Sequence, residues 1–263
     1  MEIINKNIDG GRAFDWGLIS DDYAKFRDIY PDVFYEKIIE MGLCIKRQRV
    51  FDIGTGTGVL PRNLYKYGAE FVGADISEEQ IERARRLSSE AGMNIKYVVS
   101  SAETADFPDS SFDVVTACQC YVYFDKAALF PKIHSILKES GHFCILFMAW
   151  LPGESKIAFN SEQLVLKYNP SWTGNGMKRF TFDFPEQAHG LFEVEDSLYY
   201  DVPVTFTRES WHGRIKACRG IGASSLSTEE IAAFEKEHNE YLQGVPEIFD
   251  IPHFVAVLNL RKK

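Results

Sequence analysis

Two carboxylates, Asp52 and Asp75, each end a short apolar run, and a glycine-rich turn follows the first of them. That turn reads GTGTG over residues 54–58, and glycines at alternate positions allow a tight turn that a ligand can approach closely. A dinucleotide-binding turn, G-x-G-x-x-G/A, would place its third glycine at position 59, where this chain has Val59. A carboxylate two residues before the first glycine repels a pyrophosphate and attracts an ammonium group. The pattern therefore predicts a site for a cationic ligand.

A second group of residues indicates a nucleoside. Asp75 lies 23 residues after Asp52 and ends the second apolar run. An acidic residue at this place accepts the hydroxyls of a ribose in dinucleotide folds, and the neighbouring Ile76 offers an apolar face to a base. Ala102 and Glu103 follow the third run, where the edge of an adenine is expected.

The elements that must position these residues alternate between strand and helix patterns from Arg49 onward, which is typical of βαβ units in a mainly parallel sheet. We predict one α/β domain with seven strands and helices on both faces of the sheet. Its parts are an N-terminal helical cap over 1–48, a ligand-binding core over 49–150, a lid insertion over 151–195, and C-terminal strands and helices over 196–263. The predicted strands are 49–56 (with its turn), 69–77, 95–102, 111–120, 142–150, 197–207 and 253–263, and the predicted helices are 20–42, 59–68, 78–92, 124–141, 208–220 and 227–244.

Within residues 49–148, four segments resemble, in the expected order, the motifs of class I S-adenosylmethionine-dependent methyltransferases of the type 11 small-molecule group. They are VFDIGTGTGVL, GADIS, SAETADFPDSSFDVV and LKESGHF. The resemblance implies a Rossmann-like sheet, S-adenosyl-L-methionine as methyl donor and S-adenosyl-L-homocysteine as product. It also implies transfer of the methyl group to a small organic acceptor by in-line displacement.

The resemblance also implies roles for single residues. Asp52 would hold the methionine amino group, directly or through water. Asp75 would bind the ribose, and Ile76 would lie against the adenine. The turn residues expected along the methionyl and ribose parts are Gly54, Thr55, Gly56 and Gly58.

At the adenine end, the resemblance places Ala102 and Glu103 near the amino group of the base. Relatives often carry an aspartate directly before this pair, whereas this chain has Ser101. The backbone of Ala102 is therefore an alternative to the Glu103 side chain for the adenine contact.

An N-terminal segment is similar to a helix of some relatives whose tyrosine and arginine close over the cofactor. Tyr23 and Arg27 lie four residues apart and so share a helix face. The planar guanidinium of Arg27 suits the methionine carboxylate. The alternative is a surface pair on an amphipathic helix.

Candidates for the acceptor side follow the fourth predicted strand and the late strand. Cys118 is expected near the cofactor or as a buried core thiol, and Tyr123 as substrate wall or core. His212 is the best histidine candidate for a general base, although a hydrogen-bonded structural role is the simpler interpretation. A catalytic base thus stays unassigned. The C-x-C pair Cys118/Cys120 has no second ligand cluster, so we predict no metal and expect both thiols on one face of a strand.

The composition bears on the partners. A formal net charge of −9 lacks the basic footprint that phosphate backbones require, and no apolar run approaches the roughly 20 residues that span a bilayer. We therefore expect neither nucleic acid nor membrane as a partner, and a monomer or homodimer. Five cysteines and no apolar leader favour a reduced, cytoplasmic protein. A non-catalytic cofactor-binding or regulatory protein and a nicotinamide-dependent oxidoreductase stay open as alternatives.

Overall fold

The computed structural model describes residues 3–263, which contain a seven-stranded sheet in the order β3-β2-β1-β4-β5-β7-β6. Strands β1, β2, β3, β4 and β5 pair in parallel along this order, as βαβ units require. The prediction of a mainly parallel seven-stranded sheet is thus confirmed. The strands are β1 (Arg49–Ile53), β2 (Glu70–Asp75), β3 (Lys96–Val99), β4 (Phe112–Cys118), β5 (Leu137–Trp150), β6 (Phe192–Thr207) and β7 (Ile248–Lys262).

Helices precede, connect and follow these strands. The helical segments predicted over 20–42 are two helices, and Pro31, which takes an extended conformation, directly precedes the second of them. None of the helices that the structure describes is both long and apolar enough to cross a membrane. The α-helices are α1 (Ser20–Phe26), α2 (Asp32–Glu40), α3 (Val59–Leu64), α4 (Glu78–Glu90), α5 (Lys126–Ile136), α6 (Lys156–Tyr168), α7 (Arg208–Lys216) and α8 (Thr228–Leu242).

The predicted helix 124–141 extends five residues beyond the observed C-terminal end of α5. Helix α5 ends at Ile136, and Leu137 already lies in β5, opposite Phe112 of β4. The carbonyl of Ile136 accepts the N–H of Ser111 at 2.7 Å, so the backbone groups here bond to the neighbouring strand rather than continuing the helix. A shift of register between Phe112 and Val114 accommodates the extra residues.

Both late strands also begin earlier than predicted. Strand β6 starts at Phe192 rather than 197. Phe192 and Val194 alternate with Glu193 and Glu195, but Asp196 interrupts the alternation and the residues from 194 to 197 are exposed. Arg261 of β7 holds this end through Glu193 and Glu195, with 2.8 Å from its Nε to Glu195 Oε2. Strand β7 starts at Ile248 rather than 253, and Pro252 within it weakened the strand pattern.

The chain divides into two compact units, each made of three segments. The sheet unit contains Tyr30–Met148, Phe180–Tyr200 and Val255–Lys263, and the helical unit contains Met1–Ile29, Ala149–Arg179 and Asp201–Phe254. In the sheet unit, α5 and the strands enclose a continuous apolar core, on which Phe182 and Phe184 of the predicted lid pack. These two rings therefore belong to the core of that unit.

A buried ion pair joins distant segments within the helical unit. The Arg219 guanidinium donates to the Asp9 carboxylate, with Nε 2.5 Å from Oδ2, and the backbone N–H of Thr173 donates to Asp9 Oδ1 at 2.7 Å. The Thr173 hydroxyl donates to the same oxygen at 2.9 Å. Only 3% of Asp9 is exposed, so these donors satisfy a carboxylate that has left water.

Candidate functional site

Asp52 lies near the carboxyl end of β1 and is 2% exposed. Two hydroxyls donate to it: Thr55 Oγ1 lies 2.6 Å from Oδ2, and Thr116 Oγ1 lies 2.6 Å from Oδ1. Thr116 is the residue of β4 that stands in register with Asp52. The carboxylate is thus held from both sides, by its own turn and by the neighbouring strand.

Burial, with a smaller contribution from the negative charge of Asp75, raises the pKa of Asp52 to about 7. The Thr116 and Thr55 hydroxyls act in the opposite direction, because they stabilise the charged form. The carboxyl group therefore sits near the midpoint of its titration at neutral pH. A cation placed beside it favours the ionised form, so binding of a cationic ligand and loss of this proton support each other.

Asp75 ends β2 and accepts hydrogen bonds from two backbone groups. The N–H of Gly56 lies 2.9 Å from Oδ2, and the N–H of Ser77 lies 2.9 Å from Oδ1. Burial raises the pKa of Asp75, and these backbone donors lower it in part. The first contact joins the carboxylate to the middle of the glycine turn, while each oxygen keeps a further lone pair for a ligand hydroxyl.

The turn between β1 and α3 requires its glycines. Gly54, Gly56 and Gly58 have φ angles of 60°, 54° and 74°, a region that side chains with a Cβ seldom adopt. A Cβ on Gly54 would lie 2.7 Å from Cys120 Cβ, and one on Gly58 would lie 2.3 Å from the Tyr97 hydroxyl. The closely packed backbone leaves no room for larger residues at these two positions.

At the predicted adenine end, the Glu103 side chain already has partners in the protein. Its Oε1 accepts the backbone N–H of Asp125 at 3.1 Å, and its Oε2 accepts the Ser101 hydroxyl. Ala102 is 3% exposed, whereas Ile76 and Glu103 are half-buried. Ser101, which stands where relatives often carry an aspartate, therefore fixes the Glu103 carboxylate.

At the end of β4, one expectation was wrong. The strand ends at Cys118, and Gln119 has a φ of 66°, so the alternation of a strand does not extend to Cys120. The Cys120 thiol donates to the carbonyl of Ile53 at 3.0 Å, whereas Cys118 Sγ lies 3.6 Å from the Tyr30 hydroxyl. Across residues 3–263, no group of three or more metal-binding side chains is placed to hold a metal ion.

Tyr123 lies just past this point, in a 3-10 turn over Tyr121–Tyr123. It is half-buried and packs on the core of the sheet unit, beside Tyr121 and Phe124. The structure thus places it at the carboxyl ends of the parallel strands, where ligands bind in open α/β sheets.

Tyr23 and Arg27 lie in the helical unit. Arg27 directly follows α1, and its guanidinium lies over the Tyr23 ring, with Cζ 4.6 Å from the ring centre, and near the Trp16 ring at 5.4 Å. It also donates to the carbonyl of Ala217 at 3.3 Å. The two side chains therefore contact each other, as expected for residues on one helix face, and form a cation–π pair.

His212 is also in the helical unit, where it belongs to a chain of hydrogen bonds. Its Nδ1 lies 2.9 Å from Nδ1 of the buried His238, whose Nε2 lies 2.9 Å from Ser161 Oγ. The indole N–H of Trp211 donates to the same hydroxyl at 2.9 Å. Burial lowers the pKa of His212, and it lowers that of His238 to about 3. These contacts match the structural interpretation of His212 as a hydrogen-bonded residue.

The histidine pair predicts a loss of stability in acid. A histidine whose folded pKa is lowered stabilises the fold above its unfolded pKa of about 6.5, and this stabilisation is lost as the pH falls towards the folded value. We expect the free energy of unfolding to fall between pH 7 and 5, and the fall to be smaller by about 1 kcal/mol or more in His238→Gln. Urea unfolding at the two pH values measures both. If the free energy of unfolding fell by the same amount between pH 7 and 5 in both proteins, protonation of His238 would not be the cause.

Residues 50–141 match the family described as methyltransferase domain. A Dictyostelium discoideum protein named as a methyltransferase is 32% identical over 57% of this chain and 54% of its own length. A Bacillus subtilis protein named as the uncharacterized methyltransferase YcgJ is 30% identical over 47% of this chain and 53% of its own length. The ubiquinone biosynthesis O-methyltransferase of Ruegeria pomeroyi is 28% identical over 60% and 65%. The chain thus spans about half the length of the first two curated relatives.

A solved structure has a similar fold. The crystal structure of YcgJ superposes with a TM-score of 0.54 at 19% identity and covers 89% of this chain and 100% of YcgJ. The matched segment runs from β1 to the first part of β5 and includes Asp52, the glycine turn and Asp75. Residues 50–141 are therefore similar to a methyltransferase domain, and this segment contains most of the motifs that resemble the class I, type 11 group.

Proposed function

We propose that this protein transfers the methyl group of S-adenosyl-L-methionine to a small organic acceptor. The observation that carries the proposal is the joint position of a buried carboxylate, Asp52, a half-buried one, Asp75, and a glycine turn. Asp52 and Asp75 end neighbouring strands, and the turn between β1 and α3 is bonded to both of them, through Thr55 and Gly56. A ligand with an ammonium group at one end and a ribose at the other matches this set of acceptors.

The residues present fit that cofactor. The positive φ angles of the turn bring bare backbone to the ligand, Asp52 supplies negative charge for the amino group, and Asp75 supplies acceptors for the ribose hydroxyls. When bound, S-adenosylmethionine supplies an electrophilic methyl group on a positively charged sulfur. The protein's part is to align donor and acceptor and to exclude water, because an in-line displacement needs no covalent enzyme intermediate.

The acceptor side is supported by position and by one relative. Cys118 and Tyr123 lie at the carboxyl end of β4, where an acceptor would meet the methyl group. Burial raises the pKa of the neighbouring Tyr121 to about 12, so that phenol stays protonated at neutral pH. The Ruegeria pomeroyi relative is named as an O-methyltransferase, which supports a small organic acceptor with a hydroxyl group among the candidates to be tested.

Calorimetry with S-adenosylhomocysteine and with NADH tests the cofactor. We expect saturable binding of S-adenosylhomocysteine and none of NADH, because the Asp52 charge repels a pyrophosphate. Binding of NADH alone would overturn the proposal in favour of an oxidoreductase.

A second measurement tests catalysis. Methyl-labelled S-adenosylmethionine is incubated with phenols, amines, thiols and carboxylic acids, and transfer is followed by mass spectrometry. We expect label in one of these classes. Tight cofactor binding with no transfer to any class would favour the non-catalytic alternative.

A further inference from the structure

Thr116 is a buried polar residue within the apolar part of β4, which follows Asp113. Strand β4 has the sequence FDVVTAC, and the residues on either side of Thr116, Val115 and Ala117, are fully buried, as Thr116 itself is. A buried hydroxyl without a partner costs free energy, so its hydrogen bond to Asp52 explains why it is tolerated. The contact comes from the strand that lies beside β1, and it is independent of the glycine turn.

The hydrogen bond from Thr116 determines which oxygen of Asp52 accepts a hydrogen bond from the glycine turn. With Oδ1 occupied by Thr116, Oδ2 receives the Thr55 hydroxyl. Thr55 in turn is placed by its backbone, because its N–H donates to Ala74 at 2.9 Å and its carbonyl accepts the N–H of Gly58 at 2.9 Å. The rotamer of Asp52 therefore helps to fix the conformation of the turn, through Thr55.

Other titratable groups near Asp52 do not take over this role. Asp75 adds like charge, which opposes ionisation. Cys44, Cys120 and Tyr97 interact with Asp52 electrostatically, but burial raises the pKa of both thiols well above their usual range and that of Tyr97 to about 12, so all three are neutral at pH 7. In the part of the chain that the structure describes, the groups that favour the Asp52 charge are the two threonine hydroxyls.

We propose that Thr116 is a positioning residue of the cofactor site: its hydroxyl favours the ionised form of Asp52 and holds the carboxylate in the rotamer that bonds to the glycine turn. This inference rests on the proposed function, because it concerns the binding of a ligand that carries an ammonium group. Thr116 acts through Asp52 and is not required to touch the ligand.

The test is the pH dependence of S-adenosylhomocysteine affinity, measured by calorimetry between pH 6 and 8.5. In Thr116→Val, which keeps the shape but removes the donor, we expect about a tenfold weaker affinity at pH 7, the scale of one hydrogen bond to a charged group. The affinity should recover towards the wild-type value at pH 8.5, because Asp52 then ionises without the hydroxyl. Thr116→Ser, which keeps the donor, should follow the wild-type profile.

A matched control exists at another threonine–aspartate pair. Thr205 Oγ1 donates to Asp250 Oδ1 at 2.6 Å, but this bond is exposed to solvent. Thr205→Val should leave the pH profile of affinity unchanged. A loss of affinity in Thr116→Val that is equal at every pH, or a failure of Thr116→Ser to restore the profile, would show a merely structural role and overturn the inference. Absence of binding by the wild type would instead overturn the proposed function.

Discussion

Asp75→Asn is expected to weaken the binding of S-adenosylhomocysteine about 100-fold, which corresponds to roughly 3 kcal/mol. Both oxygens of Asp75 accept backbone N–H groups, from Gly56 and from Ser77. An asparagine amide has one oxygen, so its NH2 group must face one of these donors. The substitution also removes an acceptor for the ribose hydroxyls. Calorimetry at pH 7 measures the change in affinity.

Asp113→Asn is the matched control for this substitution. Asp113 lies near the start of β4 and also accepts a backbone N–H, that of Arg49 at 2.7 Å, while Lys138 forms an ion pair with it. The carboxylate is partly exposed, so its ion pair contributes little. We expect unchanged affinity in Asp113→Asn. Equal losses in both variants would show a general effect on the sheet rather than a role of Asp75 in the site.

Gly58→Ala is expected to destabilise the protein by about 3 kcal/mol and to abolish cofactor binding in the remaining folded fraction. Its φ of 74° is unfavourable for alanine, and the new Cβ would lie 2.3 Å from the Tyr97 hydroxyl. That hydroxyl is itself held by Ser88, at 2.9 Å, so it cannot move away freely. The backbone of the turn must shift instead. Urea unfolding measures the stability, and calorimetry measures the binding.

Two further variants separate the steric clash with Tyr97 from backbone strain. Gly92 has a φ of 65° and open space where a Cβ would lie, so Gly92→Ala should lower the free energy of unfolding by only about 1 kcal/mol. The double variant Gly58→Ala/Tyr97→Phe removes the closest atom and should recover part of the lost stability. If Gly58→Ala lost no more stability than Gly92→Ala, the steric clash with Tyr97 would not contribute to the destabilisation.

The parts of the site that the sequence predicts are those in which residue type and local spacing suffice. Alternate glycines after an apolar run require a turn, and Asp52 and Asp75 stand at strand ends because hydrophobic runs end there. The parallel order of β1, β2 and β4 then follows from the alternation of strand and helix. The expected cofactor contacts of Gly54, Thr55 and the other named residues stay predictions until a ligand is bound.

The remaining features depend on register and tertiary packing. Thr116 is a polar residue among the apolar residues that follow Asp113 in β4, and its role appears only when β4 is aligned with β1 so that it faces Asp52. The pairing of His212 in α7 with His238 in α8 joins two residues that lie 26 positions apart in sequence. Asp196 interrupts the alternation at the start of β6, and the contacts of Glu193 and Glu195 with Arg261 of β7 show that the strand begins before it. No local pattern contains these relations.

The ion pair between Asp9 and Arg219 has a consequence for the order of folding. Its partners are separated by 210 residues, so the bond closes a loop that contains most of the chain. Closing such a long loop costs conformational entropy before the contact forms, so formation of the Asp9–Arg219 pair is expected to be slow. During synthesis the segment around Asp9 must wait until residue 219 has left the ribosome, whereas β1, β2 and β4 can pair earlier. The helical unit is therefore expected to be completed last, with its N-terminal segment open to chaperones or proteases in the interval.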